Sequence, residues 1–301
     1  MNIAAIILSF NEEKHIARCI QSLKDVANNV YVVDSGSTDN TVQIAQSLGA
    51  NVLTNKWLNH ATQFRWAMKK ISNDTEWVVR LDADEYLSDI LKYELKTKLG
   101  GLNDFIDGIA VKRKIIFQGK QIIFGGVGSI YVLRIFRNGQ AYITDRWMDE
   151  HISVKGKVTK FKGEIYDNNL NNLTWWINKH NNYANFEAFE ILRLKYKLAP
   201  KKLVSFRAPL NVALKKIIKE NLYLILPKGF RAFIYFFYRY FFLLGFLDGY
   251  IGFIFHFNQA FWYRALVDSK VTEVENYHKK TGKTIEDCIF YILNIKVKNN
   301  D

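Results

Sequence analysis

Residues 77–86 read WVVRLDADEY, and no other stretch limits so sharply what this chain can fold into. Trp77, Val78, Val79 and Leu81 have the bulky or branched side chains of a buried strand, interrupted by Arg80, and the run ends in Asp82-Ala83-Asp84-Glu85. Three carboxylates crowded at a strand's carboxyl end repel one another unless a cation or protonation neutralises them, and hard oxygen ligands at this spacing suit Mg2+ or Mn2+. The same letters also fit a solvated turn that opens the next helix, so the order of the surrounding elements has to decide.

Residues 3–10 are an apolar run closed by Asn11. Asn11, Glu12 and Glu13 then open a periodic stretch with Ile16, Cys19, Ile20 and Leu23 on one face, which predicts a strand followed by a helix. Acids in a first helical turn suit the helix dipole, so Glu12 and Glu13 have that use or one at the strand's end. Residues 30–33 predict a second strand, and DSGSTD (34–39) leads into a helix with Val42, Ile44, Ala45 and Leu48 that stops at Gly49. Residues 51–54 predict a third strand, 61–71 a third helix, and the DAD strand is the fourth. This alternation is the pattern of a parallel α/β sheet, whose ligands bind outside the carboxyl ends of the strands. Asn11, Asp34 and the three carboxylates fall at those ends. No GxGxxG or Walker loop follows the first strand, so neither a dinucleotide nor a P-loop site is indicated.

After Gly100-Gly101 come strand-like pieces at 108–117, 131–136 and, beyond an Asn138-Gly139 turn, 141–144, which are expected to extend the sheet. They carry Arg113, Lys114, Arg134, Arg137 and Arg146, cations suited to phosphate, although solvated sheet faces use Arg and Lys more often. From Leu173 the pattern is mostly helical. Residues 193–239 hold twelve Lys or Arg against one acid, Glu220, and 230–263 are bulky and apolar but broken by Arg239 and Asp248-Gly249. No uninterrupted run reaches the ~18–20 residues of a spanning helix. A basic stretch beside aromatic helices reads as a surface that lies on, or dips into, an anionic leaflet; the alternative is a helical domain whose aromatics fill its own core.

The formal net charge of +13 points to an anionic partner. Only Cys19 and Cys288 occur, so a disulfide framework or a cysteine zinc site is excluded and a reducing compartment is expected. The opening MNIAAIILSFNEEK has too short an apolar run and no basic leader for a signal peptide, so a cytosolic catalytic part is expected.

Taken in order, IILSFNEE (6–13), VVDSGSTD (32–39), RLDADE (80–85), GG (125–126), LRIFR (133–137), WMDEH (147–151), KHN (179–181), Tyr183-Ala184 and GFLDG (245–249) resemble the family 2 glycosyltransferases of the GT-A fold. The likeness is to the bacterial branch, similar to lipopolysaccharide-core glucosyltransferases, that builds surface glycans on lipid carriers. Any one piece is a weak signal; the ordered set, within residues 3–252, is specific. The resemblance implies an α/β, Rossmann-like nucleotide-sugar-binding domain with a mixed sheet at 1–168, its nucleotide half at 1–100 and acceptor half at 101–168. A helical, basic and aromatic membrane-associating region at 169–301 would follow. It also implies that the nucleotide-sugar is bound through Ser9, Phe10, Asn11, Glu12, Asp34, Gln63, Arg65, Asp82 and Arg134, with Phe10, Asn11 and Asp34 around uracil and ribose. Asp84 would hold a divalent metal, Mn2+ or Mg2+, with Asp82 nearby on the ribose or a metal-bound water. The chain departs from the family at Ser35, where many members carry a second Asp, and in QFRWA (63–67), where Asn is common and Arg65 either pairs with phosphate or sits at the rim.

Moving a sugar off a nucleoside diphosphate needs charge relief on the leaving group and removal of the acceptor's proton. Asp84 with its ion, helped by Arg134 and Arg113, fits the first need; Asp149 or Glu150 fits the second, with Glu150 favoured by the resemblance. A single displacement with inversion is implied, from a UDP-linked hexose to a lipid-linked or lipopolysaccharide-type acceptor at the cytoplasmic face of the bacterial inner membrane, with peripheral or monotopic attachment. The rival readings are a polyprenyl-phosphate sugar synthase of the same fold, whose phosphate acceptor needs little base help, and a basic α/β protein that binds nucleic acid or membrane without catalysis. Nucleic acid is not expected, because the basic residues flank membrane-like aromatics rather than an RNA or DNA module. His151 and His180 lack HExxH-like spacing and are expected to cap a helix or bond within a core.

Overall fold

Every residue of β1 (Ile3–Ser9) is buried, which a strand achieves only inside a sheet covered on both faces. The computed structural model describes residues 1–128, 130–144, 151–198 and 227–296, and the chain divides into two compact units, Met1–Asn172 and Leu173–Asp301. The first unit continues with α1 (Ile16–Ser22), β2 (Asn29–Asp34), α2 (Thr41–Ser47), β3 (Asn51–Thr54), α3 (His60–Met68), β4 (Trp77–Asp82), β5 (Glu85–Leu87) and α4 (Asp89–Lys98). It then runs through β6 (Ile106–Phe117), β7 (Lys120–Ile122), β8 (Ile130–Arg137), β9 (Ala141–Thr144), β10 (His151–Val154) and β11 (Lys157–Asn168). Successive side chains of a strand face opposite ways. Ile3, Ala5 and Ile7 therefore join one core with Ile16, Cys19, Leu91 and Leu95, while Ala4, Ile6 and Leu8 join another with Phe64, Ala67 and Phe136.

The main sheet is mixed, in the order β3-β2-β1-β4-β8-β6-β11-β5, with β7 on β6. The first four strands are parallel, as their alternation with helices requires. β8 then enters antiparallel beside β4. Two sequence expectations need correction. Glu12 and Glu13 precede α1 rather than fill its first turn; their backbone N–H groups are drawn off to Thr41 Oγ1 at 2.7 Å and Asp39 Oδ2 at 3.2 Å. The Asn138-Gly139 turn exists, with Gly139 at φ +77°, but β9 leaves β8 and pairs with β10 in a separate ribbon. β11 had no clear alternation to read: it buries Phe161, Gly163 and Ile165, and its register against β6 shifts between Lys160 and Glu164.

That shift brings Gly163 against α4. A Cβ at Gly163 would lie 2.3 Å from Leu91 Cα and 2.4 Å from its nitrogen, while the Gly163 N–H donates to buried Glu94 at 2.8 Å.

The second unit contains α5 (Leu173–Lys195), α6 (Phe230–Phe237), α7 (Gly249–His256), α8 (Tyr263–Thr281) and α9 (Ile285–Leu293), with wider turns at Tyr238–Phe242 and Phe257–Trp262. Its core joins Ala184, Ala188 and Leu192 to Val267, Val271, Val274, Cys288 and Ile289. His180 stacks on Trp176 at 3.5 Å and bonds the Trp176 carbonyl through Nδ1 at 2.9 Å. Burial pulls this imidazole down to about 4, with the Lys179 charge adding to it against the carbonyl bond. Among the described residues no single helix is long and apolar enough to cross a membrane.

Gly163→Ala has no room to relax, because the obstruction is helix backbone. The variant is expected to lose about 1–3 kcal/mol, read as a lower urea midpoint with an unchanged slope; an unshifted midpoint contradicts the close approach.

Candidate active site

The parallel half of the sheet lines up its chemistry by register. Ser9 on β1 stands beside Asp34 on β2, and Leu8 beside Asp82 on β4, so these strands end together. Beyond β1, Phe10 is 55% exposed, an aromatic face open to a planar ring. Asn11 adopts φ +55°, a conformation Asn tolerates better than most residues. Its side-chain oxygen accepts from the Thr38 N–H at 2.8 Å, and its own N–H donates to Ser37 Oγ at 2.8 Å.

Several residues expected to touch the nucleotide-sugar directly are instead committed to internal bonds. Asp34 is buried; its carboxylate accepts from the N–H groups of Gly36 and Ser37, both at 2.8 Å, and from the hydroxyls of Ser37 at 2.5 Å and Ser9 at 3.3 Å. These bonds shape the 35–38 loop. Gln63 is also buried, bonded to Asn55 at 2.7 and 3.0 Å and to Ser35 Oγ at 3.1 Å. Glu12 accepts from His15 Nδ1 at 2.5 Å. His15 Nε2 accepts the Leu170 N–H at 2.8 Å, so the imidazole is the neutral Nδ1–H tautomer. Arg65 is half-buried, 3.5 Å from Thr62 Oγ1.

The strand-end carboxylates find their cations within the protein. Arg80 meets both oxygens of Asp82, at 3.0 and 2.8 Å. Arg134 bridges Asp82 at 3.1 Å and Glu85 at 2.6 Å. Glu85 also accepts the Asp82 N–H at 3.0 Å. Burial, and then the Asp82 charge, push the Glu85 carboxyl well up, against Arg80, which makes the Arg134 contact the more important. Asp82 is thus held by two guanidiniums, and Arg134, itself buried, bonds two of the protein's own acids. Arg113 likewise faces Asp167, at 4.0 Å.

Asp84 differs. It is half-buried, accepts one hydrogen bond from the Asn169 amide at 3.0 Å through Oδ2, and among the described residues Oδ1 has no partner. Its carbonyl accepts from Arg18 and from the Asn168 N–H, which fixes the backbone beneath the carboxylate. Among the described residues no three His, Cys, Asp or Glu side chains are placed to hold a metal unaided. Asp84 does fit Mg2+ or Mn2+ shared with a substrate, since Mg2+ is usually held by one or two carboxylates plus phosphate oxygens rather than by an all-protein cage. Burial, then the charges of Glu85, Asp84 and Asp82, push the nearby Cys19 thiol well up, against Arg18. Asp149 and Glu150 lie outside the described residues.

Sequence reasoning assigned no role to Arg80, Arg18, His15 or Asn169. Arg80 carried a signal, because a strand places it on the same face as Asp82, two residues on. The others meet Asp84 and its neighbours through pairings more than sixty residues apart, which no local pattern shows.

A sequence profile described as Glycosyl transferase family 2 matches residues 4–124. The chain is 31% identical over 201 residues to an uncharacterized glycosyltransferase of Rickettsia typhi, covering 64% of this chain and 68% of that one. It is 32% identical over 162 residues to the lipopolysaccharide core biosynthesis glycosyltransferase LpsC of Rhizobium meliloti, covering 52% and 58%. A glucosyl-3-phosphoglycerate synthase from Mycobacterium tuberculosis, solved with Mn2+, UDP and glucosyl-3-phosphoglycerate, is 22% identical over 38% of this chain and 44% of that one, with a TM-score of 0.31, too loose to carry an inference about ligands.

Arg134→Met removes a buried cation and strips Glu85, an acid already pushed up by burial, of its arginine partner, a change expected to cost about 3–5 kcal/mol. Adding Glu85→Gln should recover part of that loss in urea unfolding; strictly additive losses would show that the pair does not act as a unit.

Proposed function

Since the chain belongs to glycosyl transferase family 2 and is therefore a glycosyltransferase, we propose that it moves a hexose from a UDP-linked donor to a lipid-linked or lipopolysaccharide-type acceptor, with inversion. The observation that carries the reading is Asp84. It is the one acid of the strand-end group with no arginine on it, and it stands where α/β sheets bind ligands. Phe10, exposed at the neighbouring strand's end, offers a face to the uracil. Asp82, Glu85, Arg80 and Arg134 keep the ground beneath rigid, and the Asp34-braced loop shapes the base side.

Asp84 would hold Mn2+ or Mg2+, which supplies charge relief to the leaving diphosphate. On the acceptor side, Asp149 or Glu150 takes the hydroxyl proton as its oxygen bonds to the anomeric carbon and the carbon–diphosphate oxygen bond breaks on the opposite face. The similarity to an enzyme named for lipopolysaccharide core biosynthesis and the basic, aromatic sequence of 193–263 support an acceptor presented at a membrane, at its cytoplasmic face.

The metal role is tested by calorimetry. Wild-type protein is expected to bind UDP at least about tenfold more tightly with Mn2+ than with EDTA, as charge neutralisation at a diphosphate requires, whereas Asp84→Ala should bind equally weakly in both. A wild type indifferent to EDTA removes the metal from the reading.

For the base, either Asp149→Asn or Glu150→Gln should lose about 10²–10⁴-fold in kcat while UDP affinity is unchanged. If both variants keep full activity, the acceptor is a phosphate that needs no base, as in a polyprenyl-phosphate sugar synthase.

A further inference from the structure

We infer that residues 230–262 form a re-entrant wedge that enters one leaflet of an anionic bilayer and returns to the same face. The inference deepens the membrane-face reading above. Its first support is that the segment doubles back. Phe230–Phe242 is followed, after a bend of 73°, by the helical run from Gly245. Ring contacts pair the two arms in reverse order: Tyr240 with Phe253 at 5.7 Å, Phe236 with Phe257 at 6.1 Å, Phe233 with Phe261 at 6.5 Å. The second arm therefore packs back over the first in reverse order, with the turn at 243–248 as the tip.

The tip is locked by close packing. A Cβ at Gly252 would lie 2.2 Å from Asp248 Cβ, and one at Gly245 would lie 2.9 Å from the Arg239 carbonyl. Leu244 and Gly249 take positive φ, +59° and +66°, which turns the chain sharply between the arms.

Polarity is inverted relative to a water-soluble hairpin. Asp248, His256, Arg231 and Arg239 are buried. Arg231 pairs with Asp268, Nε to Oδ2 at 2.8 Å; Arg239 donates to Gln259 at 2.8 Å; Asp248 lies 3.8 Å from His256 Nε2. Outward-facing positions are apolar and aromatic, among them Phe242 at 70%, Tyr250 at 75% and Leu247 at 52% exposure. Charged groups turned inward, Arg231 on Asp268 and Arg239 on Gln259, with rings turned outward, is the arrangement that hydrocarbon favours.

Length decides between entering and crossing. The 13 residues of Phe230–Phe242 rise about 20 Å at ~1.5 Å each, short of the ~30 Å hydrocarbon core. Charge decides the occupant: the ten Lys or Arg of 193–228, which precede the wedge in the chain, are drawn to anionic headgroups and would repel a second copy of the same chain.

The test uses the full chain with single bimane probes at Leu247→Cys, Phe230→Cys or Ser269→Cys, the native Cys19 and Cys288 being buried. The vesicles combine phosphatidylethanolamine with phosphatidylglycerol, and carry nitroxide either near the headgroups or deep in the acyl chains. The Leu247 probe should be quenched best by the deep nitroxide, and the Phe230 and Ser269 probes should both stay open to an aqueous quencher outside the vesicle. Leu247→Asp, at an exposed site that leaves the circular dichroism unchanged, should lower vesicle partitioning on the order of tenfold or more. Binding with all probes equally shallow overturns the wedge but leaves membrane attachment standing. Phe230 and Ser269 reporting from opposite sides would mean a span. No vesicle binding, or a stable dimer that shields the Leu247 probe in lipid-free solution, overturns both wedge and membrane reading while leaving the transferase site untouched.

Discussion

Two guanidiniums decide what the strand-end acids can do. Asp82, Asp84 and Glu85 sit within four residues, and three negative charges that close do not share a partly dry site without compensation. Arg80 and Arg134 supply it for Asp82 and Glu85, which leaves one carboxylate's charge, that of Asp84, uncompensated by arginine. The sheet's mixed topology delivers the second of these cations. Because β8 runs antiparallel to β4, with Arg137 beside Trp77, the earlier residue Arg134 falls towards the carboxyl end of β4. A parallel neighbour would carry its later residues there instead.

The base side of the site is built by the same device at smaller scale. Asp34 spends its carboxylate on two backbone N–H groups and two hydroxyls of its own loop and of β1, and Gln63 spends its amide on Asn55 and Ser35. Such groups contribute rigidity and shape, so a ligand entering here meets a surface that needs little further ordering, which is where binding otherwise loses free energy. Ser35, set by Gln63, presents a neutral hydroxyl on this side of the site.

How much of this was legible follows from the range of the interactions. The β1 to β4 core could be read because burial on both faces writes continuous apolar runs punctuated by turns, and each run is local. The carboxylates at the end of β4 were legible for the same reason. Their partners were not: Arg134 meets Glu85 across 49 residues and Asn169 meets Asp84 across 85. Arg80 was readable in principle, since an arginine inside an apolar strand must have a partner and strand geometry offers Asp82. β11 escaped because a register shift breaks its period, and its buried positions include a glycine that no hydropathy pattern marks.

The second unit sets the opposite problem. Its composition announces an aromatic, basic region, but composition cannot say which side of a helix faces out. Arg231, Arg239 and Asp248 look in the sequence like interruptions that spoil an apolar run, and a spanning helix would indeed be penalised by them. In the folded segment they are inside, with Arg231 on Asp268 and Arg239 on Gln259, so the residues that interrupt the apolar run in the sequence become internal contacts of the fold. An apolar exterior with a paired polar interior costs free energy in water, where the exposed rings gain nothing and the buried charges lose hydration. The bilayer edge proposed for this segment is a setting that reverses that balance.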